Sequence, residues 1–168
     1  MAANRLRGVV RTAALLLCAW GLFAASRYTP PFGSWQRLSP TPVISPQGTD
    51  FESAGTFNPA AVEKEGTIVV LYRAQDKKGT SRLGYAESVD GVHFRRRAQP
   101  VFGPEAPYEK GGGTEDPRLV EVNGTYYLTY TGYNNVDGAG PGKRDAQLCL
   151  ATSRDLVHWE RQGVIIPA

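Results

Sequence analysis

Cysteine, histidine and methionine are scarce in this 168-residue chain, at two, two and one. Cys18 lies in the N-terminal apolar run, so removal of that run leaves Cys149 alone and excludes a disulfide framework. Cys149 falls in an apolar stretch, Gln147 to Thr152, where a lone cysteine belongs to a core, and no catalysis is assigned to it. No cluster of histidine and cysteine has metal-ligand spacing, so no metal is expected. Charge of one sign is also missing. The formal net charge is +3, and Arg5, Arg7 and Arg11 stand without any acid in the first 26 residues. The remainder is formally neutral, which removes the global positive charge that would recommend nucleic acid as a partner. Arg95, Arg96 and Arg97 form a short basic run that reads as the solvated edge of a strand.

Long apolar runs are absent apart from Thr12 to Ala25, which comes after those three arginines and ends at Ala24-Ala25-Ser26, small residues that suit a signal peptidase. The run is shorter than the roughly 20 residues that a membrane span needs. Residues 1–26 therefore read as a signal peptide or, uncleaved, an N-terminal anchor. The rest is then secreted or periplasmic, touching a membrane only through that segment. Leu17 before Cys18 argues against lipidation, which wants a small residue there. Residues 27–49 hold prolines at 30, 31, 40, 42 and 46 and read as a Pro-rich linker, a tether or an edge wrapped onto the first folded unit with Trp35 as its anchor.

Beyond the linker the chain repeats itself. Asn58-Pro59 aligns with Asp116-Pro117, Gly66 with Gly124 and Tyr72 with Tyr130 at one offset. After an insertion around Asn134 to Arg144, Leu83, Ala86, Ser88, Asp90, His93 and Phe94 align with Leu148, Ala151, Ser153, Asp155, His158 and Trp159 at a longer one. Each copy predicts four short strands, about 58–62, 67–73, 82–88 and 94–101, then 118–122, 125–131, 147–153 and 159–165. Tandem four-stranded units of this size are β-propeller blades. The expectation is an all-β chain with one blade at about 57–103 and a second at about 114–168. In the Ser-x-Asp-x-x-His-aromatic element the aspartate is expected to cap backbone amides and the aromatic to enter the core. His93 and His158 are then turn residues.

The second copy opens on Gly111-Gly112-Gly113-Thr114-Glu115-Asp116-Pro117-Arg118. The glycines let the chain pass close to another segment or to a ligand. Pro117 is expected to push Asp116 toward an extended conformation. Asn123-Gly124 is the pair a two-residue hairpin turn prefers. Neighbouring side chains on a strand point to opposite faces, so a strand beginning here would present one of Glu115 and Asp116 to a cavity and use the other as an anchor.

The segment from Thr114 to Asn134, with Leu71 to Gln75 upstream and Ala151 to Gly163 downstream, resembles glycoside hydrolase family 130, five-bladed β-propeller phosphorylases and hydrolases that act on β-mannosides. The resemblance runs from about Phe57 to Gly163. It implies that Asp116 is the catalytic proton donor and that Asn58 and Arg73 contact the sugar, with Glu115 and Arg118 beside them as substrate-binding residues. It implies an oligosaccharide substrate and no cofactor, with inorganic phosphate as co-substrate in a phosphorylase. Inversion needs an acid on the leaving oxygen and a nucleophile on the opposite face. Phosphorolysis and hydrolysis both remain open, because the groups that hold phosphate or a second carboxylate come largely from later blades.

Two blades do not close a propeller, so the chain reads as the N-terminal portion of a larger enzyme, with open blade edges available for self-association. Two other readings stand beside it, a non-catalytic carbohydrate-binding half-propeller and a furanosidase-type five-bladed hydrolase. Gly138 to Arg144 lacks the spacing and flanking elements of a phosphate-binding loop and reads as a rim loop. Asn123-Gly124-Thr125 matches a glycosylation sequon but sits in a tight turn. Arg161 reads as an exposed strand arginine.

Overall fold

A computed structural model describes residues 33–135 and 145–166. The apolar leader, the first two prolines of the linker and the Gly138 to Arg144 loop lie outside the described residues. The chain divides into two compact units, 1–36 and 37–168, and every described strand lies in the second.

The strands are β1 (Gly55–Lys64), β2 (Thr67–Gln75), β3 (Ser81–Ser88), β4 (Arg95–Arg96), β5 (Gly111–Val122), β6 (Thr125–Asn134), β7 (Asp145–Ser153) and β8 (Glu160–Ile166). A 3-10 turn, Pro107–Glu109, precedes β5. All but one of the pairings are antiparallel: β1 to β4 form one meander and β5 to β8 another. The exception is a parallel bridge from Ser81 to Gly113 that joins them into one eight-stranded sheet.

Both hairpin turns result from their residues. Glu65-Gly66 and Asn123-Gly124 have positive φ at both positions, the type I′ geometry that matches strand twist. Glu63 and Glu121 each accept the amide of the glycine three residues on. At the other end of each meander, Ser88 and Ser153 accept two amides apiece while Asp90 and Asp155 accept those of Val92 and His93, and of Val157 and His158. His93 and His158 bond the same aspartates and are otherwise 87% exposed, as expected of turn residues. The hydrogen bond from His93 and the amides around it hold the Asp90 carboxyl well below the usual range.

The main core lies between the meanders. Val69, Leu71, Leu83 and Tyr85 from the first pack on Tyr126, Leu128, Tyr130, Cys149, Ala151 and Leu156 from the second, with Trp159 against them. Cys149 is a core residue, and burial pushes its thiol up. A smaller cluster of Phe51, Val70, Tyr72, Ala74 and Ala86 is covered by Ile44, Ile68 and Phe94. Ile44 anchors the linker on this cluster. Thr56 Oγ1 donates to the Ile44 carbonyl at 3.0 Å.

Three expectations change in this part of the sheet. The fourth strand of the first meander spans two residues instead of eight, because the chain leaves the edge after Arg96 and turns Phe102 back into the core opposite Leu83. Arg96 is no solvated edge residue either. It donates to Glu52 Oε2 at 3.1 Å, and Glu52 also accepts Tyr72 OH at 2.7 Å. The second meander repeats this clasp in stronger form. Glu109, fully buried, accepts Tyr130 OH at 2.7 Å, Arg161 Nε at 3.0 Å and Nη2 at 3.2 Å, and the amides of Glu105 and Ala106. Arg161, expected to be exposed, stacks its guanidinium over Phe102 at 4.2 Å.

Candidate active site

The site sits where the meanders meet, and two bulges build it. The β1–β2 register shifts between Phe57 and Ala60, and the β5–β6 register shifts between Glu115 and Arg118. Inside each bulge the residue before proline takes left-handed backbone, Asn58 at φ 40° and Asp116 at φ 50°. The extended conformation expected for Asp116 is therefore not adopted. Asparagine and aspartate tolerate this region better than other side chains, and bulges re-aim side chains at site edges.

The bulge also overturns strict alternation. Glu115 and Asp116 are neighbours, yet both reach Arg73 on β2: Nη2 is 2.7 Å from Glu115 Oε1 and Nη1 is 3.4 Å from Asp116 Oδ1. Asn58 Nδ2 donates to the same Asp116 oxygen at 2.7 Å. Ser81 Oγ accepts from Arg73 Nε at 3.1 Å and donates to Glu115 Oε1 at 2.9 Å. The Arg73 guanidinium lies 5.3 Å from the Phe57 ring centroid.

Burial separates the two carboxylates. The Glu115 side chain is 12% exposed and that of Asp116 is 37% exposed. Burial raises the Glu115 carboxyl above its ordinary range, outweighing the Ser81 hydrogen bond and the Arg73 charge, while the Asp116 charge adds to the rise. Asp116 has Oδ1 held by two donors, and no described group bonds its Oδ2. One carboxylate is thus tied into the protein and its neighbour keeps an oxygen for a ligand.

Four of the five expected site residues, Asn58, Arg73, Glu115 and Asp116, come together. Arg118 does not: it is exposed, donates to the Pro117 carbonyl at 2.7 Å, and is bonded to none of the others. Ser81 was missed by sequence reasoning. A serine opening a strand carries no motif, and only the parallel bridge to Gly113 brings it to the carboxylates. Gly113 has φ 107°, and a Cβ there would collide with the Ser81 carbonyl oxygen. This is the close approach the glycine run permits, and it is to protein rather than ligand. Among the described residues no group of three or more His, Cys, Asp and Glu side chains could hold a metal ion.

Residues 36–168 match the model of a glycoside hydrolase family described as beta-1,4-mannooligosaccharide phosphorylase. The chain belongs to glycoside hydrolase family 130. It is similar to a 1,2-beta-oligomannan phosphorylase of Thermoanaerobacter sp. (strain X514), 41% identical over 139 residues that cover 78% of this chain and 45% of the relative. A crystal structure of a glycosyl hydrolase from Bacteroides ovatus superposes with a TM-score of 0.70 at 41% identity, over 79% of this chain and 42% of that one. Another superposes with a TM-score of 0.68 at 42% identity, over 76% of this chain and 40% of the other. It comes from work describing family 130 mannoside phosphorylases that include hydrolases targeting beta-1,2 mannosidic linkages in Candida mannan. The chain thus spans less than half the length of these family 130 relatives. Its all-β sheet has the fold of the family's propellers.

Proposed function

We propose that this chain carries the acid-bearing part of a family 130 site that cleaves β-mannosidic linkages with inversion, by phosphorolysis or hydrolysis. In this reading β1–β4 and β5–β8 are two blades of a five-bladed propeller, and Asp116 is the proton donor. The observation that carries it is the division of labour at Arg73: Glu115 is anchored by two donors, while Asp116 is steadied through Oδ1 and keeps Oδ2 open. An acid needs a fixed direction and an accessible oxygen, and this arrangement supplies both. Asn58 and Arg73, on adjacent strands and both bonded to Asp116 Oδ1, hold the sugar, and Glu115 keeps Arg73 in place. Arg118 contributes at most from the periphery, given its bond to the Pro117 carbonyl.

The nucleophile is phosphate, acting as co-substrate without any cofactor, or a water activated by a further carboxylate. Arg161 is not a phosphate ligand in this scheme, because Glu109, Glu105 and the Gly103 carbonyl occupy its guanidinium. The single open carboxylate oxygen also favours a second reading, a carbohydrate-binding unit that holds a mannoside without cleaving it, since inversion by water needs two carboxylates.

One experiment separates the readings. The full chain is incubated with β-1,2- and β-1,4-mannobiose, with and without phosphate, beside Asp116→Asn. Turnover that falls about 100-fold or more in the variant supports the acid role. Equal turnover removes Asp116 from it, and sugar binding without turnover selects the binding unit.

A further inference from the structure

We propose that Ser81 is a positioning residue of this site, whose buried hydroxyl divides Arg73 between the two carboxylates and so keeps Asp116 out of a tight ion pair. The proposal rests on the family 130 reading of Asp116 for its consequence, although not for its geometry.

Ser81 is fully buried at the first position of β3, paired with Gln75 on β2 and bridged to Gly113 on β5. Neighbouring strands on both sides therefore fix its backbone. A hydroxyl has one hydrogen to give and two lone pairs to accept with. Ser81 gives its hydrogen to Glu115 Oε1 at 2.9 Å, accepts Arg73 Nε at 3.1 Å, and has Gln75 Nε2 at 3.5 Å. Glu115 Oε1 in turn takes Arg73 Nη2 at 2.7 Å. Arg73 Nε, Ser81 Oγ, Glu115 Oε1 and Arg73 Nη2 thus close a ring.

Closure has a consequence for the guanidinium. Arginine prefers to grip one carboxylate with two parallel bonds, and a tight pair of that kind favours the ionised carboxylate. Here the Nε edge is spent on Ser81, so Glu115 receives a single nitrogen and only Nη1 is left for Asp116, at 3.4 Å. Deleting the hydroxyl frees Nε and lets Arg73 close bidentately on one of the two acids. The position of Asp116 then depends on which acid wins.

The repeat argues that the fold does not require this arrangement. In the second meander Thr131 stands in register where the first has Arg73, and Ala146 where it has Ser81. Both meanders form the same antiparallel pairings without the pair being repeated. The serine and arginine occur together only where the two acids are.

The test compares Ser81→Ala and Ser81→Thr with the natural full chain by arginine side-chain NMR and by turnover. In the natural chain the Arg73 Nε–H resonance is expected to be protected from exchange. Ser81→Ala should lose that protection, and Ser81→Thr, which keeps the hydroxyl, should restore it. Turnover of β-mannobiose with phosphate should fall about tenfold in kcat for Ser81→Ala with KM nearly unchanged, and recover in the threonine variant. If Ser81→Thr does not fold, Glu115→Gln takes its place and should loosen the Arg73 resonance without removing it. An Arg73 resonance unchanged by Ser81→Ala overturns the proposal, as does a KM that rises while kcat holds. Absence of turnover in every form would defeat the functional reading, and the Arg73 resonance would still decide whether Ser81 directs that side chain.

Discussion

Replacing Glu109 with glutamine should be among the most damaging conservative changes in this chain. Glu109 is fully buried and takes five donors: Tyr130 OH, two nitrogens of Arg161, and the amides of Glu105 and Ala106. Glutamine keeps the volume but turns an NH2 toward donors and removes the charge opposite a half-buried guanidinium. Breaking a buried ion pair from one side costs about 3–5 kcal/mol. Arg161 retains Glu105 at 2.8 Å, an exposed partner that softens the loss, so about 3 kcal/mol is the expected value. For a domain of this size that lowers Tm by roughly 10 °C. Urea and thermal unfolding of the full chain would measure it. Arg161→Met in a double-mutant cycle should recover more than about 1 kcal/mol of coupling. Glu52→Gln, with Tyr72 and one nitrogen of Arg96 as partners, should cost visibly less. A loss below about 1 kcal/mol, or strict additivity with Arg161→Met, would refute the reasoning. The pH dependence has a definite sign. Burial alone would raise the Glu109 carboxyl, but Arg161, the two amides and Tyr130 hold it below the ordinary glutamate value. Its contribution is therefore present at neutral pH and lost as pH falls through that depressed value, and Glu109→Gln should flatten the acid limb of the stability curve.

Three further outcomes are expected. Gly113→Ala should prevent soluble folding or cost more than about 3 kcal/mol, since it combines φ 107° with a collision at the Ser81 backbone, whereas Gly163→Ala, at φ 96° in open space, should cost about 1 kcal/mol; urea midpoints compare them. Carboxyl NMR should find Glu115 titrating above the ordinary glutamate range, so this group favours the folded state only as pH falls below its raised value; a normal or lowered midpoint would contradict the burial argument. A chain lacking residues 1–26 should self-associate with little salt dependence, because Val120, Val122, Tyr127, Leu148, Ile165 and Ile166 are exposed, and a monodisperse monomer across a light-scattering concentration series would count against it.

Residue order by itself determined the local and periodic features. Asn123-Gly124 sets a hairpin because those residues accept positive φ, and the Ser-x-Asp turns form because a short acid reaches amides two and three residues ahead. Apolar alternation in the two copies was enough for six strands within a few residues of their observed ends, whereas β4 is shorter than expected and β5 begins at Gly111 rather than near Arg118. Asp116 and Asn58 were legible because family motif and repeat coincide on them, and Arg73 was legible through the motif alone. Tertiary structure decided the rest, since it depends on contacts between residues far apart in the chain. Strand alternation predicts that Glu115 and Asp116 point apart, and only a bulge, tied to β1 by the Asn58–Asp116 hydrogen bond, puts both on Arg73. Arg96 and Arg161 are charged residues on strand edges until buried glutamates more than 40 residues away draw them inward. Ser81 becomes part of the site solely through its bridge to Gly113, since a hydroxyl's role is set by the partners that folding delivers to it.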